Sequence, residues 1–241
     1  MAELGIRTRW YQRNESTVTP IAKPTLFEMG KLEEAGTLAN SLNVERPYSE
    51  PGLFLGTSAF TASGWSGNFY AVGMKPGDYL TYYSAQFATV EIDSTFYGCP
   101  SAHTVNNWSV RTPEDFIFCV KIPQIITHEK ALVDCDSEFE EFVKTMDILG
   151  PKLGPIMFQF PLFDRWKFPK QDSFLAVLTP FLKKLPADHK FVIEIRNKTW
   201  LDAKFADLLR EHKIALALTD ASFVPRAWEM NNNRKDNPTM G

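Results

Sequence analysis

The residues best suited to chemistry lie at the ends of short apolar stretches of the sequence. Glu91 and Asp93 end one stretch, Lys121 ends another, and Glu194 and Arg196 end a third. Carboxylates at such positions can transfer protons, and two fixed cations can hold an anionic group such as a phosphate or a carboxylate. This pattern predicts a site that binds a small anionic or phosphorylated ligand, with hydrolase or isomerase chemistry as an extension.

Roles can be predicted for individual residues. Carboxylates whose pKa values are set by nearby cations are suited to acid–base catalysis, and the predicted catalytic residues are Glu91, Glu194 and Asp220. The predicted ligand-binding residues are Lys121, Arg196, Gln159, Asp93, His128, Tyr97, Trp65 and Trp200. Three acidic residues with His128 could instead hold a divalent metal, but no His-rich spacing accompanies them. No metal is therefore predicted, and the cofactor stays open.

The same residues also have a structural interpretation. Glu194 with Arg196, or Lys121 with a neighbouring carboxylate, can be ion pairs that belong to the fold. A lone histidine in a loop, such as His128, is more often a surface residue. The loop aromatics can stack on a sugar or a base, or can simply cover one end of the domain; they are Trp65, Phe69, Tyr70, Tyr97 and Trp200.

Six apolar runs alternate with amphipathic segments, which predicts repeated βα units and a parallel sheet. The predicted strands lie in 53–58, 89–92, 116–122, 156–161, 191–196 and 214–220. The predicted helices span 78–87, 101–110, 137–149, 172–185 and 202–211. The spacing of Ser137 and Glu140 predicts a capping box at the start of the third helix.

The polar residues favour a barrel over a doubly wound sheet. Each of five strands ends with a polar residue on the face that could point inward. The residues that share this face are Glu91 with Asp93, Cys119 with Lys121, Met157 with Gln159, Glu194 with Arg196, and Leu218 with Asp220. A barrel builds its active site from the C-terminal ends of its strands. No Gly-x-Gly-x-x-Gly or Walker motif follows a strand. We therefore predict an α/β, TIM-barrel-like fold without its last two βα units.

Composition limits the class of protein. The chain has 241 residues and a net charge of −3, which gives no general attraction to nucleic acid or to an anionic membrane. Three cysteines without paired spacing, no signal peptide and no apolar run of about 18 residues predict a cytoplasmic location. We predict an N-terminal extension over residues 1–50, a barrel domain over 51–230 and a polar tail over 231–241.

Several motifs resemble the DUF72 (YecE-like) family in order and spacing. They are Gly56–Ser58, Trp65–Tyr70, Val90–Tyr97, Phe118–Lys121, Gly154–Pro161, and Glu194–Arg196 followed by Trp200. The resemblance implies a TIM-barrel-like fold and a soluble intracellular protein, and it implies little chemistry. Family members usually continue with a strand bearing an Arg-Leu-His-Gly-like motif and a last βα unit, neither of which is seen here.

Two other functions stay open. Loop aromatics together with two cations could bind or cleave a nucleic-acid phosphodiester, although the net charge argues against it. An incomplete barrel could instead be a non-catalytic interaction protein or a degenerate fragment. An unclosed parallel sheet would expose two edges, which predicts a tendency to self-associate.

Overall fold

A parallel sheet organises the computed structural model, which describes residues 46, 53–221 and 224–225. Its five strands are β1 Thr89–Ile92, β2 Ile117–Lys121, β3 Leu153–Gln159, β4 Phe191–Glu194 and β5 Ala215–Leu216. Each run is short, apolar and bounded by polar or turn residues, as expected for strands of a buried parallel sheet. The prediction of an α/β fold with a parallel sheet is confirmed.

The strand order identifies the type of α/β fold. The order in the sheet is β1-β2-β3-β4-β5, and every neighbouring pair is parallel. A doubly wound sheet reverses its direction of growth at a switch point, whereas a barrel adds each strand beside the previous one. The described sheet is therefore an open sheet wound in the sense of a TIM barrel.

Among the described residues, one α-helix precedes β1 and four connect successive strands. They are α1 Tyr79–Gln86, α2 Ala102–Val110, α3 Asp136–Met146, α4 Gln171–Leu182 and α5 Ala203–Glu211. Two begin with side-chain caps that the sequence indicates: Ser101 accepts a bond from Thr104 N (3.1 Å), and Asp202 accepts one from Phe205 N (2.9 Å). Among the described residues, no helix is long and apolar enough to cross a membrane.

The predicted capping box at Ser137 and Glu140 is wrong. Helix α3 begins at Asp136, so Cys135 is the N-cap and makes no side-chain capping bond. Asp134, directly before this N-cap, has a positive φ of 50°. Lys130 then pairs with Glu138 in the first turn.

Burial alternates along most of the strand residues as the sequence predicts, but Lys121 and Glu194 at the strand ends are buried as well. The buried face carries large apolar side chains that pack under the helices; they include Val90, Ile92, Phe118, Val120, Ile156, Phe158 and Ile193. On the opposite face the side chains of Glu91, Cys119, Met157 and Gln159 are partly exposed. The alternation places the polar residues of neighbouring strands on a common face.

The first predicted strand, 53–58, lies beside β1 without joining the described sheet. The carbonyl oxygen of Thr57 accepts a hydrogen bond from Glu91 N (2.9 Å), and Thr57 N donates to the Tyr83 hydroxyl (2.8 Å). Gly56 allows this approach, because a Cβ there would overlap the carbonyl oxygen of Thr89. The run therefore lies against the outer side of β1.

Arg46 is the described residue of the predicted N-terminal extension. Its guanidinium makes two 2.7 Å bonds to the carboxylate of Asp115, and its Nε donates to the Ser84 carbonyl oxygen (3.1 Å). Arg46 is buried, so this part of the chain contacts the domain. The rest of the predicted extension and the polar tail lie outside the described residues, and the proposed domain boundaries stay a prediction.

Candidate functional site

The candidate site lies where β1 to β4 end. Strand pairing places Glu91 opposite Cys119 and Gln159 opposite Glu194, and Lys121 pairs with Met157. Because neighbouring parallel strands share a direction, these side chains reach the same edge of the sheet. Two groups of interacting side chains form there, one on β1 and β2 and the other on β3 and β4.

The first group, named the lysine cluster, consists of Glu91, Asp93 and Lys121. The Nζ atom of Lys121 lies 3.1 Å from Glu91 Oε1 and 2.5 Å from Asp93 Oδ1. The Thr95 hydroxyl accepts a bond from Lys121 N (3.0 Å) and donates to Lys121 O (2.8 Å), which ties the turn after β1 to β2. The Lys121 side chain is only 7% exposed, so its ammonium is enclosed by carboxylates.

Burial and charge shift both members of the Glu91–Lys121 pair toward protonation. Burial raises the pKa of Glu91, repulsion from Asp93 and Glu194 adds to the increase, and Lys121 opposes it. Burial alone would lower the pKa of Lys121, but the two carboxylates outweigh it and raise that pKa. Lys121 therefore stays an ammonium, and Glu91 keeps a proton to higher pH than an ordinary glutamate, as a general acid or base requires.

The second group, named the arginine cluster, consists of Gln159, Glu194 and Arg196. Glu194 Oε2 accepts a bond from Gln159 Nε2 (2.9 Å), and Glu194 Oε1 accepts one from Arg196 Nε (3.1 Å). Gln159 and Glu194 are register partners, and Arg196 follows Glu194 by two residues on the same face. Glu194 is buried, and both of its carboxylate oxygens accept a hydrogen bond.

Arg196 keeps part of its guanidinium open. Its side chain is 33% exposed. Within the described ranges only its Nε atom has a protein acceptor, which leaves the Nη1 and Nη2 groups without one. A guanidinium that is held through Nε and open at its other two nitrogens can accept a bidentate anion.

His128 lies beside the arginine cluster. It belongs to a single π-helical turn, Ile125–Glu129, and its Nδ1 atom lies 2.8 Å from the Thr127 hydroxyl. Its ring packs edge-on against Phe96, with centroids 4.9 Å apart. Burial, together with the positive charge of Arg196, lowers the pKa of His128, which favours a neutral imidazole. The structure therefore brings this loop histidine to the site.

Two of the predicted aromatic residues pack against other rings, Trp65 as a partly buried residue and Trp200 as a buried one. Trp65 packs against Phe69 and Tyr70, in an aromatic group that extends to α1. Trp200 is only 6% exposed and stacks on Phe174, with ring centroids 5.1 Å apart. These contacts fit the structural interpretation of the loop aromatics.

The other predicted residues lie at the surface of the same edge. Tyr97 is 73% exposed in the segment after β1. Asp220 is exposed and lies four residues beyond the end of β5. Among the described residues, no group of three or more His, Cys, Asp or Glu side chains is placed to hold a metal ion.

Two residues at this edge were not selected from the sequence. Asn197 joins the loop after β3 to the segment after β4, and Trp166 is exposed in that loop. Trp166 offered a weak signal, because it is a large aromatic residue only seven positions beyond the end of β3, and Asn197 directly follows Arg196.

Comparison with protein families gives one match that spans most of the chain. The family described as "Protein of unknown function DUF72" matches residues 54–239. The chain is 34% identical over 118 residues to the UPF0759 protein YecE of Escherichia coli K12, covering 49% of this chain and 41% of YecE. It is 33% identical over 132 residues to the UPF0759 protein YunF of Bacillus subtilis 168, covering 52% of this chain and 45% of YunF. Each match spans less than half of the relative.

Solved structures agree with the fold. A DUF72 family protein from Thermotoga maritima MSB8 superposes with a TM-score of 0.59 at 27% identity, covering 72% of this chain and 68% of that one. A DUF72 family protein from Enterococcus faecalis V583 superposes with a TM-score of 0.52 at 21% identity, covering 72% and 64%. At 21% identity, the similarity to the Enterococcus faecalis protein supports the fold alone.

Proposed function

Because the chain belongs to the DUF72 family, whose description names no reaction, we propose its function from the site itself: it binds a small anionic ligand, a phosphate or carboxylate, at the C-terminal ends of β1–β4. The observation that carries this proposal is Arg196, whose Nε is fixed on Glu194 while Nη1 and Nη2 have no acceptor within the described residues. Such a fork matches the geometry of a phosphate or carboxylate.

The two cations have different roles in this proposal. Lys121 already contacts two carboxylates and is almost fully buried, so an anion would have to displace Glu91 or Asp93 to reach it. Arg196 contacts one carboxylate and is partly exposed, so an anion can approach it directly. We therefore assign anion binding to Arg196, and assign to Lys121 the control of Glu91.

Glu91 supplies the chemistry of the proposed site. Its raised pKa and its partial exposure allow it to give a proton to a bound ligand, or to take one from it. His128, kept neutral beside Arg196, can donate or accept a hydrogen bond. Glu194 is fully occupied by Gln159 and Arg196 and acts as a positioning residue. Proton transfer of this kind serves isomerisation or hydrolysis.

Calorimetric titration with inorganic phosphate tests the binding step. We expect the wild-type chain to bind phosphate and Arg196→Gln to bind it at least about tenfold more weakly, because a charged bidentate contact is lost. Arg210→Gln is the matched control: it removes the same charge from an exposed arginine on α5 that pairs with Asp207. Equal affinity in wild type and Arg196→Gln would overturn the proposal.

The role of Glu91 has a separate test. A bound anion near Glu91 should raise its pKa further, so that binding takes up protons. Repeating the titration in buffers with different ionisation enthalpies measures that uptake. We expect less uptake in Glu91→Gln than in the wild type, with phosphate still bound, because His128 beside Arg196 and phosphate itself account for the remainder. Uptake that is unchanged in Glu91→Gln would remove Glu91 from the proposed role.

A further inference from the structure

Trp166 is an exposed tryptophan on an ordered loop. The loop follows β3, and 86% of the Trp166 surface is exposed. The neighbouring Phe163 and Phe168 are buried against each other, with ring centroids 4.9 Å apart. The loop is thus anchored by its own apolar residues on both sides of Trp166. A large aromatic side chain that an anchored loop holds in solvent is available to stack on a ligand.

Hydrogen bonds fix this loop to Asn197, the residue that follows Arg196. Phe163 N donates to Asn197 Oδ1 (2.9 Å), and Asn197 Nδ2 donates to Phe163 O (2.8 Å). Asp164 Oδ1 accepts bonds from Trp166 N (2.9 Å) and Lys167 N (2.8 Å). Since Asn197 directly follows Arg196, the backbone that carries Trp166 is tied to the segment that carries the open guanidinium.

The surroundings of Trp166 suit a flat, negatively charged ligand. The Arg165 guanidinium lies 5.8 Å from the Trp166 ring centroid and adds a cation beside the ring. Tyr97, 73% exposed after β1, supplies a second aromatic side chain at the same end of the sheet, next to the Phe96 ring that packs on His128. Exposed rings at the same strand ends as an open guanidinium can combine stacking with anion binding.

We propose that Trp166 stacks on a ring of the ligand whose anionic group binds Arg196. The ligand class is then a small phosphate that carries a sugar or a nucleobase, rather than a bare anion. This inference rests on the proposed function, because it takes anion binding at Arg196 as given. It adds the part of the ligand that Arg196 does not recognise.

Three probes of similar charge test the inference: inorganic phosphate, ribose 5-phosphate and AMP. In the wild type we expect at least one ring-bearing probe to bind about tenfold more tightly than phosphate, as expected for one stacked ring. Trp166→Ala should remove that advantage and leave phosphate affinity unchanged, and Trp166→Phe should keep most of it. An AMP preference over ribose 5-phosphate assigns the stacking to the base, and equal affinities assign it to the sugar.

A control variant and a spectroscopic readout support the comparison. Val110→Ala changes an apolar residue that is 65% exposed at the end of α2, away from the strand C-termini, and should leave all three affinities unchanged. Quenching of tryptophan fluorescence by the ring-bearing probe should be larger in the wild type than in Trp166→Phe. Equal quenching in both proteins contradicts stacking on Trp166.

The inference and the proposed function fail in different ways. If phosphate binds through Arg196 but the ring-bearing probes bind no more tightly, the stacking inference is overturned and the anion site stands. The stacking inference is also overturned, with the anion site intact, if Trp166→Ala keeps the ring advantage. If no probe binds, or if Arg196→Gln binds all three as the wild type does, the proposed function fails and the inference fails with it.

Discussion

The lysine and arginine clusters use similar residues at the same edge of the sheet but are built differently. In the lysine cluster, one ammonium that is 7% exposed contacts two carboxylates within 3.1 Å. In the arginine cluster, one buried carboxylate accepts two bonds, and the guanidinium is a third exposed. The first cluster has an excess of negative charge, and the second has unused donors among the described residues.

This difference separates a closed ion pair from an open binding group. A buried charge without a partner is expensive, so the two carboxylates and Lys121 stabilise one another and leave little for a ligand. Arg196 is partly hydrated and keeps donors for another anion. The closed cluster is expected to matter for stability, and the open cluster for binding. Four substitutions test that distinction through the free energy of unfolding.

Lys121→Met should have the largest effect. It leaves Glu91 and Asp93 close together without their cation, and we expect it to lower the free energy of unfolding by about 3 kcal/mol near neutral pH. Urea denaturation at about pH 8 and about pH 5 measures it. Because Glu91 can take up a proton once Lys121 is gone, the loss should be smaller at the lower pH.

Lys152→Met is the matched control for that measurement. Lys152 is also a buried lysine, but its Nζ bonds to neutral oxygens, the carbonyl groups of Ser109 and Thr112 and the Thr112 hydroxyl. Glu114 and Asp115 act on Lys152 only as more distant charges, and Asp115 keeps its bonds from Arg46, so acidification should reduce the effect less than in Lys121→Met. A Lys121→Met loss that is equally large at both pH values would contradict the closed-pair interpretation.

Glu194→Ala should cost less, about 1.5 kcal/mol, although Glu194 is as buried as Lys121. Its two donors, on Gln159 and Arg196, lie on partly exposed side chains and can turn to water. Thermal or urea unfolding of this variant beside Lys121→Met makes the comparison directly. A loss as large as that of Lys121→Met would show that the arginine cluster is also a closed structural pair.

The contrast between the two clusters shows which features of the site the sequence could predict. The alternation of side chains predicted that Glu91, Lys121, Glu194 and Arg196 share a face, and the contacts of Lys121 with Glu91 and of Arg196 with Glu194 agree with that prediction. Spacing along a strand does not say how many carboxylates reach each cation, because that depends on strand register. Lys121 and Arg196 therefore looked equivalent in the sequence.

The tryptophans show the same limit. Trp166 and Trp200 both follow strands at the same end of the sheet, and the sequence-based prediction included only Trp200. Trp200 is buried because Phe163, Phe168 and Phe174 converge on it, and that convergence depends on tertiary packing. Trp166 lies between two of those phenylalanines in the chain and is left exposed.

The sequence predicted the order of the strands better than it predicted where the strands and helices begin. Alternating βα units predicted a parallel sheet, and five of the six runs pair in sequence order. The run at 53–58 approaches β1 through Gly56 and Thr57 instead of pairing along its length. The N-cap of α3 was misplaced by two residues, at Ser137 instead of Cys135, and the positive φ of the preceding Asp134 is a conformation that the capping pattern does not encode.

Glu91→Gln should raise the free energy of unfolding by about 1 kcal/mol at about pH 8, because a neutral amide replaces a carboxylate whose ionisation burial disfavours. The pKa of Glu91 is higher in the folded chain than in the unfolded chain. The stability that protonated Glu91 contributes is therefore fully present below the pKa of the unfolded chain, and it is lost as the pH rises through the pKa of the folded chain. Glutamine keeps the shape without that loss. Urea titrations across this pH range should therefore diverge with increasing pH.

Glu138→Gln is the control of opposite sign. Lys130 lowers the pKa of Glu138, so its ionised form stabilises the folded chain and its contribution is lost as pH falls. This variant should be no more stable than the wild type near neutral pH. If Glu91→Gln is destabilised to the same degree, Glu91 is a structural partner of Lys121 and not a carboxyl kept ready for proton transfer.

Arg196→Gln should have the smallest effect on stability, below about 0.5 kcal/mol, because partly exposed ion pairs contribute little and Glu194 keeps its bond from Gln159. The same variant is expected to lose phosphate binding, so stability and binding should separate at this residue. Urea unfolding of the unliganded protein, beside Lys121→Met, measures the first quantity. If Arg196→Gln destabilises the fold as strongly as Lys121→Met, both clusters hold the sheet edge together, and a loss of binding could no longer be attributed to an open guanidinium.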